Sequence, residues 1–202
     1  MPAEDSGRLL LDRMRDRIGF ASYADVRLLD FGCGVRFTQA IVNRRLPIRE
    51  YAGVDNYREM IEFLQRSVRD PRFSFAFLNA RHPLYNPDGI PLGDSTRLPF
   101  AEGAFDVVSM FSVITHQNPD DAASIFRLLR RYVAPNGHLF FTCFLDEAIE
   151  SFEDRSPQRN GGFCFYNPAF LTALVERCGW TEVNRAKSEG PLMGDSFVFR
   201  PS

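Results

Sequence analysis

The chain has 202 residues, 45% hydrophobic and 25% charged, a balance that suits one folded domain and argues against a disordered chain. Lysine and arginine number 24 against 26 acids, so the formal net charge is −2. That argues against a protein that grips long nucleic acid, leaving only a local basic patch at Arg127, Arg130 and Arg131. No apolar run reaches the roughly 18 residues that a membrane span needs.

In chain order, Leu9, Leu10, Met14 and Ile18 fall at the spacing of an amphipathic helix, a lead-in over residues 1–25 without the order of a signal peptide. Apolar runs then alternate with helical patterns. VRLLDF (26–31), YAGVD (51–55), FSFAFL (73–78), FDVVSMFS (105–112) and GHLFFTCF (137–144) read as strands buried on both faces. Helices fit at 37–46 and 57–69, the second stopping at Asp70-Pro71 because the residue before a proline avoids helical backbone. Asn118-Pro119 and Asn167-Pro168 each join a capping side chain to a proline suited to the first helical turn. The first of these helices carries Ile125, Phe126, Leu129 and Val133 at helical spacing, and Gly179 stops the second. Two final strands near 181–186 and 196–200 have too short a link for a parallel crossover and pair antiparallel. The pattern predicts a doubly wound α/β domain over residues 1–202. Its sheet has seven mostly parallel strands with an antiparallel last strand, inside a three-layer α/β/α sandwich.

The stretch VRLLDFGCGVRF is the most informative. Its strand ends in Asp30, and Gly32 and Gly34 flank Cys33 before a helix begins near Phe37. Glycines let the backbone turn sharply and approach a ligand, and the helix start beyond them offers N–H donors. A tight strand-to-helix turn would use the same glycines with no ligand. Asp55 ends the next strand, where its carboxylate either accepts from the ribose hydroxyls of an adenosine-containing ligand or caps the helix starting at Tyr57.

In this order LLDFGCG, GVDNYREM and LPFAEGAFDVVSMFSVITH resemble the motifs of class I S-adenosylmethionine-dependent methyltransferases. The similarity covers about residues 26–144, with a family-like ending at 167–200. Arg36 stands where the family's first motif usually has a third glycine. The resemblance implies a Rossmann-like fold and S-adenosyl-L-methionine as cofactor. It places Asp30 and the Gly32–Cys33–Gly34 backbone at the methionine end, Asp55 on the ribose and Asn56 beside the adenine. Ser109, Met110, Phe111 and Ser112 would line the methionine and the transferable methyl. Asn79, directly after the third strand, matches the polar residue that bonds the adenine amino group, with Asp94 in GDSTRLPF as the alternative.

Residues 80–98 form an inserted loop rich in Pro and Gly, either a wall of the acceptor pocket or a solvated loop. His116, just beyond the fourth strand, is the candidate general base for an acceptor hydroxyl, although a histidine bonded within its own loop could stand there too. His82 and His138 have weaker positions. Residues 146–166 read as an acceptor-site cover or a charged surface loop. The four cysteines show no paired or zinc spacing, and nothing points to a metal. The expected function is methyl transfer to a small-molecule acceptor in the cytoplasm, with oxygen favoured because no Asn/Asp-Pro-Pro-aromatic motif follows the fourth strand. An RNA or protein methyltransferase and a noncatalytic cofactor-binding module are the alternatives. A dinucleotide oxidoreductase is weaker, because GCGVRF lacks the GxGxxG spacing.

Overall fold

Apolar strands alternating with helices bury both faces of a parallel sheet, and the computed structural model has this arrangement. It describes residues 1–82, 85–155, 163–188 and 194–202. The elements run α1 (Ala3–Ile18), β1 (Arg27–Phe31), α2 (Arg36–Arg44), β2 (Glu50–Asp55), α3 (Arg58–Ser67), β3 (Phe73–Phe77) and β4 (Phe105–Met110). A 3-10 turn (Ile114–His116) precedes α4 (Pro119–Arg130), β5 (Val133–Leu145), β6 (Phe152–Asp154), β7 (Cys164–Tyr166), α5 (Pro168–Arg177), β8 (Trp180–Ala186) and β9 (Asp195–Pro201).

The strand order β3-β2-β1-β4-β5 is parallel throughout. β9 joins β5 antiparallel, with Phe140 opposite Val198, and β8 pairs antiparallel with β9. Chain order reverses between β1 and β4. At such a reversal neighbouring connections leave to opposite faces, so a crevice opens beyond the carboxyl ends of the strands, where open α/β sheets hold ligands.

Two apolar layers sandwich the sheet. Leu11 and Met14 of α1, Phe37 and Ile41 of α2, and Ile61 of α3 pack with Leu28, Tyr51 and Val107. On the other side Phe126 and Leu129 of α4 and Leu171 and Val175 of α5 meet Val108, Phe141 and Phe199. Each side chain so buried contributes about 1.5–3 kcal/mol relative to exposure, which accounts for the abundance of phenylalanine.

The structure departs from expectation in two places. α4 ends at Arg130, so Val133 starts β5 rather than extending the helical face. Val133 pairs opposite Phe105, and a register shift between Phe105 and Val107 lets Pro135, Asn136 and Gly137 pass within β5. Gly137 suits this crowded bend, where a Cβ would lie 2.9 Å from the Phe105 carbonyl oxygen. Residues 146–166 also hold β6 and β7, so the described residues form nine strands rather than seven. β7 pairs parallel with the end of β5 at Phe144 and Leu145, and β6 runs antiparallel to β7. Residues 156–162 of that segment lie outside the described residues. No helix among the described residues is long and apolar enough to cross a membrane.

Candidate functional site

A cleft of about 730 Å³ opens where the chain order reverses. The glycine turn after β1, Asp55 to Tyr57 after β2, and Leu78 and Ala80 after β3 line it, with Phe111, Ser112 and His116 after β4. Met1, Ser6 and Leu10 add part of the wall from α1. That helix reaches the cleft because Gly7 lets it lie against α2, where a Cβ would meet the Arg36 carbonyl oxygen at 2.2 Å.

The glycine turn is fastened to β2. The N–H groups of Gly32 and Cys33 both donate to the Val54 carbonyl, at 2.8 and 3.1 Å, and the Gly34 N–H donates to Asp55 Oδ2 at 3.1 Å. These three donors therefore hold the turn closed, a correction to the expectation that they stand free for a ligand. The two glycines serve different needs. Gly32, at φ +74°, is pressed by Val113, whose Cγ2 would lie 2.5 Å from an added Cβ. Gly34, at φ +48°, has nothing within 4 Å of that position. Cys33 lines the cleft but is buried, with its sulfur 2.9 Å from where a Cβ on Gly53 would stand. Burial pushes its thiol pKa up, consistent with packing rather than reactivity.

Both readings of Asp55 are compatible with its geometry. Oδ1 accepts from the Tyr57 N–H at 3.0 Å at the start of α3, Oδ2 accepts from Gly34, and the residue lines the cleft beside Asn56. Burial raises its pKa, opposed by the backbone N–H groups of Gly34, Tyr57 and Asn56. Asp30 is 3% exposed and accepts from the Ser109 and Tyr51 hydroxyls, each at 2.8 Å. Burial pushes its carboxyl up to about 6 against those two hydroxyls, and the neighbouring Asp55 charge adds to the rise. Ser109 is thus the partner of Asp30.

Met110 is fully buried in the core and is not among the cleft residues, because strand alternation points it away from its cleft-lining neighbour Phe111. Phe111 packs between Phe37 and Phe140, 5.1 Å from each ring. Ser112 holds φ at +59°, unusual for a residue with a side chain. Its N–H donates to Thr142 Oγ1 at 2.9 Å, and its carbonyl accepts from Thr115 Oγ1 at 2.9 Å, which together fix the strained turn. Asn79 is exposed, accepts from Asn86 Nδ2 at 3.0 Å, and is not among the lining residues. Its neighbours Leu78 and Ala80 line the cleft instead, as alternation at the end of β3 requires. Asp94 is exposed and also outside the lining.

His116 closes the 3-10 turn and lines the cleft, as does His82 from the inserted loop, with ring centroids 6.4 Å apart. His82, Arg81, Tyr85 and Gln117 were hidden in the sequence, since irregular loops carry no periodic signal of which residues point inward. The segment 146–166 borders the same end. The Tyr166 hydroxyl donates to the Gln117 carbonyl at 2.6 Å, and the Phe163 ring lies 6.1 Å from that of His116. His138 packs against Phe20 and lies outside the lining.

These residues fit an adenosyl sulfonium. Two carboxylates, Asp30 and Asp55, face a cleft that also leaves open space over Gly34. The family model of the methyltransferase domain matches residues 5–184. Over 130 residues, 64% of this chain, the sequence is 29% identical to malonyl-[acyl-carrier protein] O-methyltransferase of Legionella pneumophila, and it spans 40% of that protein's length. An S-adenosylmethionine dependent methyltransferase of Mesorhizobium loti has the same fold, with a TM-score of 0.63 at 13% identity, over 91% of this chain and 93% of that one. The 1,6-didemethyltoxoflavin-N1-methyltransferase of Burkholderia thailandensis, solved with 1,6-didemethyltoxoflavin and S-adenosylhomocysteine, gives 0.64 at 16% identity over 99% and 78%. Matched by the family model along most of its length, the chain belongs to the methyltransferase-domain family and is an S-adenosylmethionine-dependent methyltransferase.

Proposed function

We propose that the protein methylates an oxygen of a small-molecule acceptor that enters the cleft beside His116, and that residues 1–202 act as one domain in the cytoplasm. When bound, S-adenosylmethionine supplies a methyl group on a positive sulfonium, already electrophilic, so alignment is the protein's main task. Asp55 binds the ribose through the lone pairs left by Gly34 and Tyr57, with Asn56 beside the adenine. Asp30 gives the methionine end a buried countercharge. Phe111 and Ser112 shape the wall near the reacting oxygen, whose proton passes to His116. The loop 80–98 and the segment 146–166 complete the acceptor pocket.

The observation that carries this reading is that His116 and the glycine turn line one cleft. The test begins with metabolite extracts and labelled donor to identify an acceptor, followed by single-turnover methyl transfer against pH. His116→Ala should lower the rate about a hundredfold or more while leaving S-adenosylhomocysteine affinity unchanged. The wild-type rate should rise with pH as the imidazole loses its proton. Equal rates and profiles would remove the base from the account.

A second reading is favoured by the 29% identity to the carrier-protein methyltransferase and by Arg81 in the cleft lining. In that case the acceptor is a carboxylate, already ionised, and the same experiment would show no dependence on His116. Label appearing in RNA or protein fractions would instead point to a macromolecular acceptor.

A further inference from the structure

We propose that the acceptor is a hydroxylated planar aromatic molecule laid against a wall of rings at the His116 end of the cleft, with His82 donating a hydrogen bond from Nε2 to the oxygen that receives the methyl. This rests on the oxygen-acceptor reading above and specifies its substrate class.

The loop that carries His82 is braced. His82 and Asn86 exchange backbone hydrogen bonds at 2.9 and 3.0 Å. Asn86 Nδ2 also donates to the Ala80 carbonyl at 3.1 Å, and Arg81 N–H donates to the Ile90 carbonyl at 2.9 Å. Gly89 fits against this junction, where a Cβ would lie 2.5 Å from Asn86 Nδ2. Pro83 and Leu84 lie outside the described residues. A loop that only needed solvation would not require this bracing. Its result is that His82 is 6% exposed yet lines the cleft.

The orientation of the His82 ring fixes its chemistry. The Tyr85 N–H donates to Nδ1 at 3.4 Å, so that nitrogen presents its lone pair and the neutral ring carries its proton on Nε2. Burial favours the neutral form, the charge of His116 adds to this, and Asp121 acts against it. His82 is therefore a fixed N–H donor, distinct in role from His116.

The surrounding wall is aromatic. The Tyr85 ring lies 5.0 Å from that of His82, tilted by 35°, and His116 stands edge-on to His82 at 6.4 Å. Phe163 extends the row 6.1 Å beyond His116. Tyr85 is 52% and Phe163 40% exposed, so two large ring surfaces beside the cleft lack the burial that aromatic groups favour. Such a wall stacks a planar ring. As the acceptor hydroxyl gives its proton to His116, the O–H electron pair stays on oxygen and forms the bond to the methyl carbon, while the S–C pair returns to sulfur. The His82 N–H meets the charge that develops on that oxygen and keeps its own proton. An alkylammonium also favours aromatic walls but has no lone pair for this donor.

The experiment uses the full chain saturated with S-adenosylhomocysteine and 4-nitrophenol as the probe. Binding should be saturable and should shift the absorbance toward the phenolate. His82→Phe, which keeps a ring but removes the donor, should weaken the probe about tenfold or more. His82→Gln, which keeps an N–H at similar reach, should stay within about threefold of wild type. Nitrogen-resolved NMR near neutral pH should show His82 as the Nε2–H tautomer. The absence of saturable 4-nitrophenol binding, an unchanged affinity in His82→Phe, or an Nδ1–H tautomer would overturn the proposal while leaving the donor site standing. A wild-type chain that fails to bind S-adenosylhomocysteine would overturn the donor-site reading and this proposal with it.

Discussion

Replacing Asp55 with alanine removes two hydrogen bonds before any ligand is considered, because its carboxylate holds both the Gly34 N–H at 3.1 Å and the Tyr57 N–H at 3.0 Å. Two bonds to a half-buried carboxylate, partly replaceable by water, contribute about 2–3 kcal/mol together. In a domain of this size the melting temperature should fall by about 5–10 °C. Asp55→Asn keeps an oxygen for Tyr57 but turns an amide N–H₂ toward Gly34, so it should lose about half as much. In both variants the ribose loses its charged acceptor, and S-adenosylhomocysteine should bind roughly five- to a hundred-fold more weakly. Thermal melts without ligand measure the first effect and calorimetry with S-adenosylhomocysteine the second. An alanine variant with wild-type melting and wild-type affinity would refute the reasoning. Lower melting with unchanged affinity would reduce Asp55 to a strut between the glycine turn and α3.

Gly32→Ala should destabilise by about 2–4 kcal/mol, since the new Cβ meets Val113 at 2.5 Å on a left-handed backbone, and denaturant midpoints would show it. Gly34→Ala, in open space, should cost only about 1 kcal/mol, with its main effect on S-adenosylhomocysteine affinity. Equal stability losses at the two positions would contradict this division of roles. For Asp30 the folded-state carboxyl, at about 6, lies above its ordinary value of 3.8, so the folded chain holds the proton more tightly between those values. Stability is then fully present below about pH 4 and falls as pH rises through about 6, by up to about 3 kcal/mol. Asp30→Asn should lack this fall, and parallel pH–stability curves for wild type and variant would refute it.

Much of the fold was legible because its strands are apolar runs of the right length and both asparagine-proline caps behaved as local signals. Asn118 and Asn167 each accept from two backbone N–H groups at the starts of α4 and α5. Where legibility failed, a tertiary contact overrode a local pattern. Val133 continues the helical spacing of Leu129, yet pairing with Phe105 draws it into β5. The three-residue strands β6 and β7 are too short for alternation to register. At the site, the sequence located the glycine turn, Asp55 and His116, because each follows directly from the end of a strand. It did not show that the N–H groups of Gly32 and Cys33 are taken up by Val54, a contact between neighbouring strands. Asn79 was misplaced because the face a residue presents after a strand ends depends on the path of the loop. His82 was passed over for the same reason, and the lead-in helix gave no sign that Ser6 and Leu10 would reach the cleft.

The account turns on how the donor lies in the cleft, and a crystal structure with S-adenosylhomocysteine tests this most directly. It should show the ribose hydroxyls within hydrogen-bonding distance of Asp55, the adenine beside Asn56, and the sulfur facing the end of the cleft where His116 and His82 meet. A ligand in the reverse sense, with its adenine against the histidines and its sulfur by Asn56, would contradict the account.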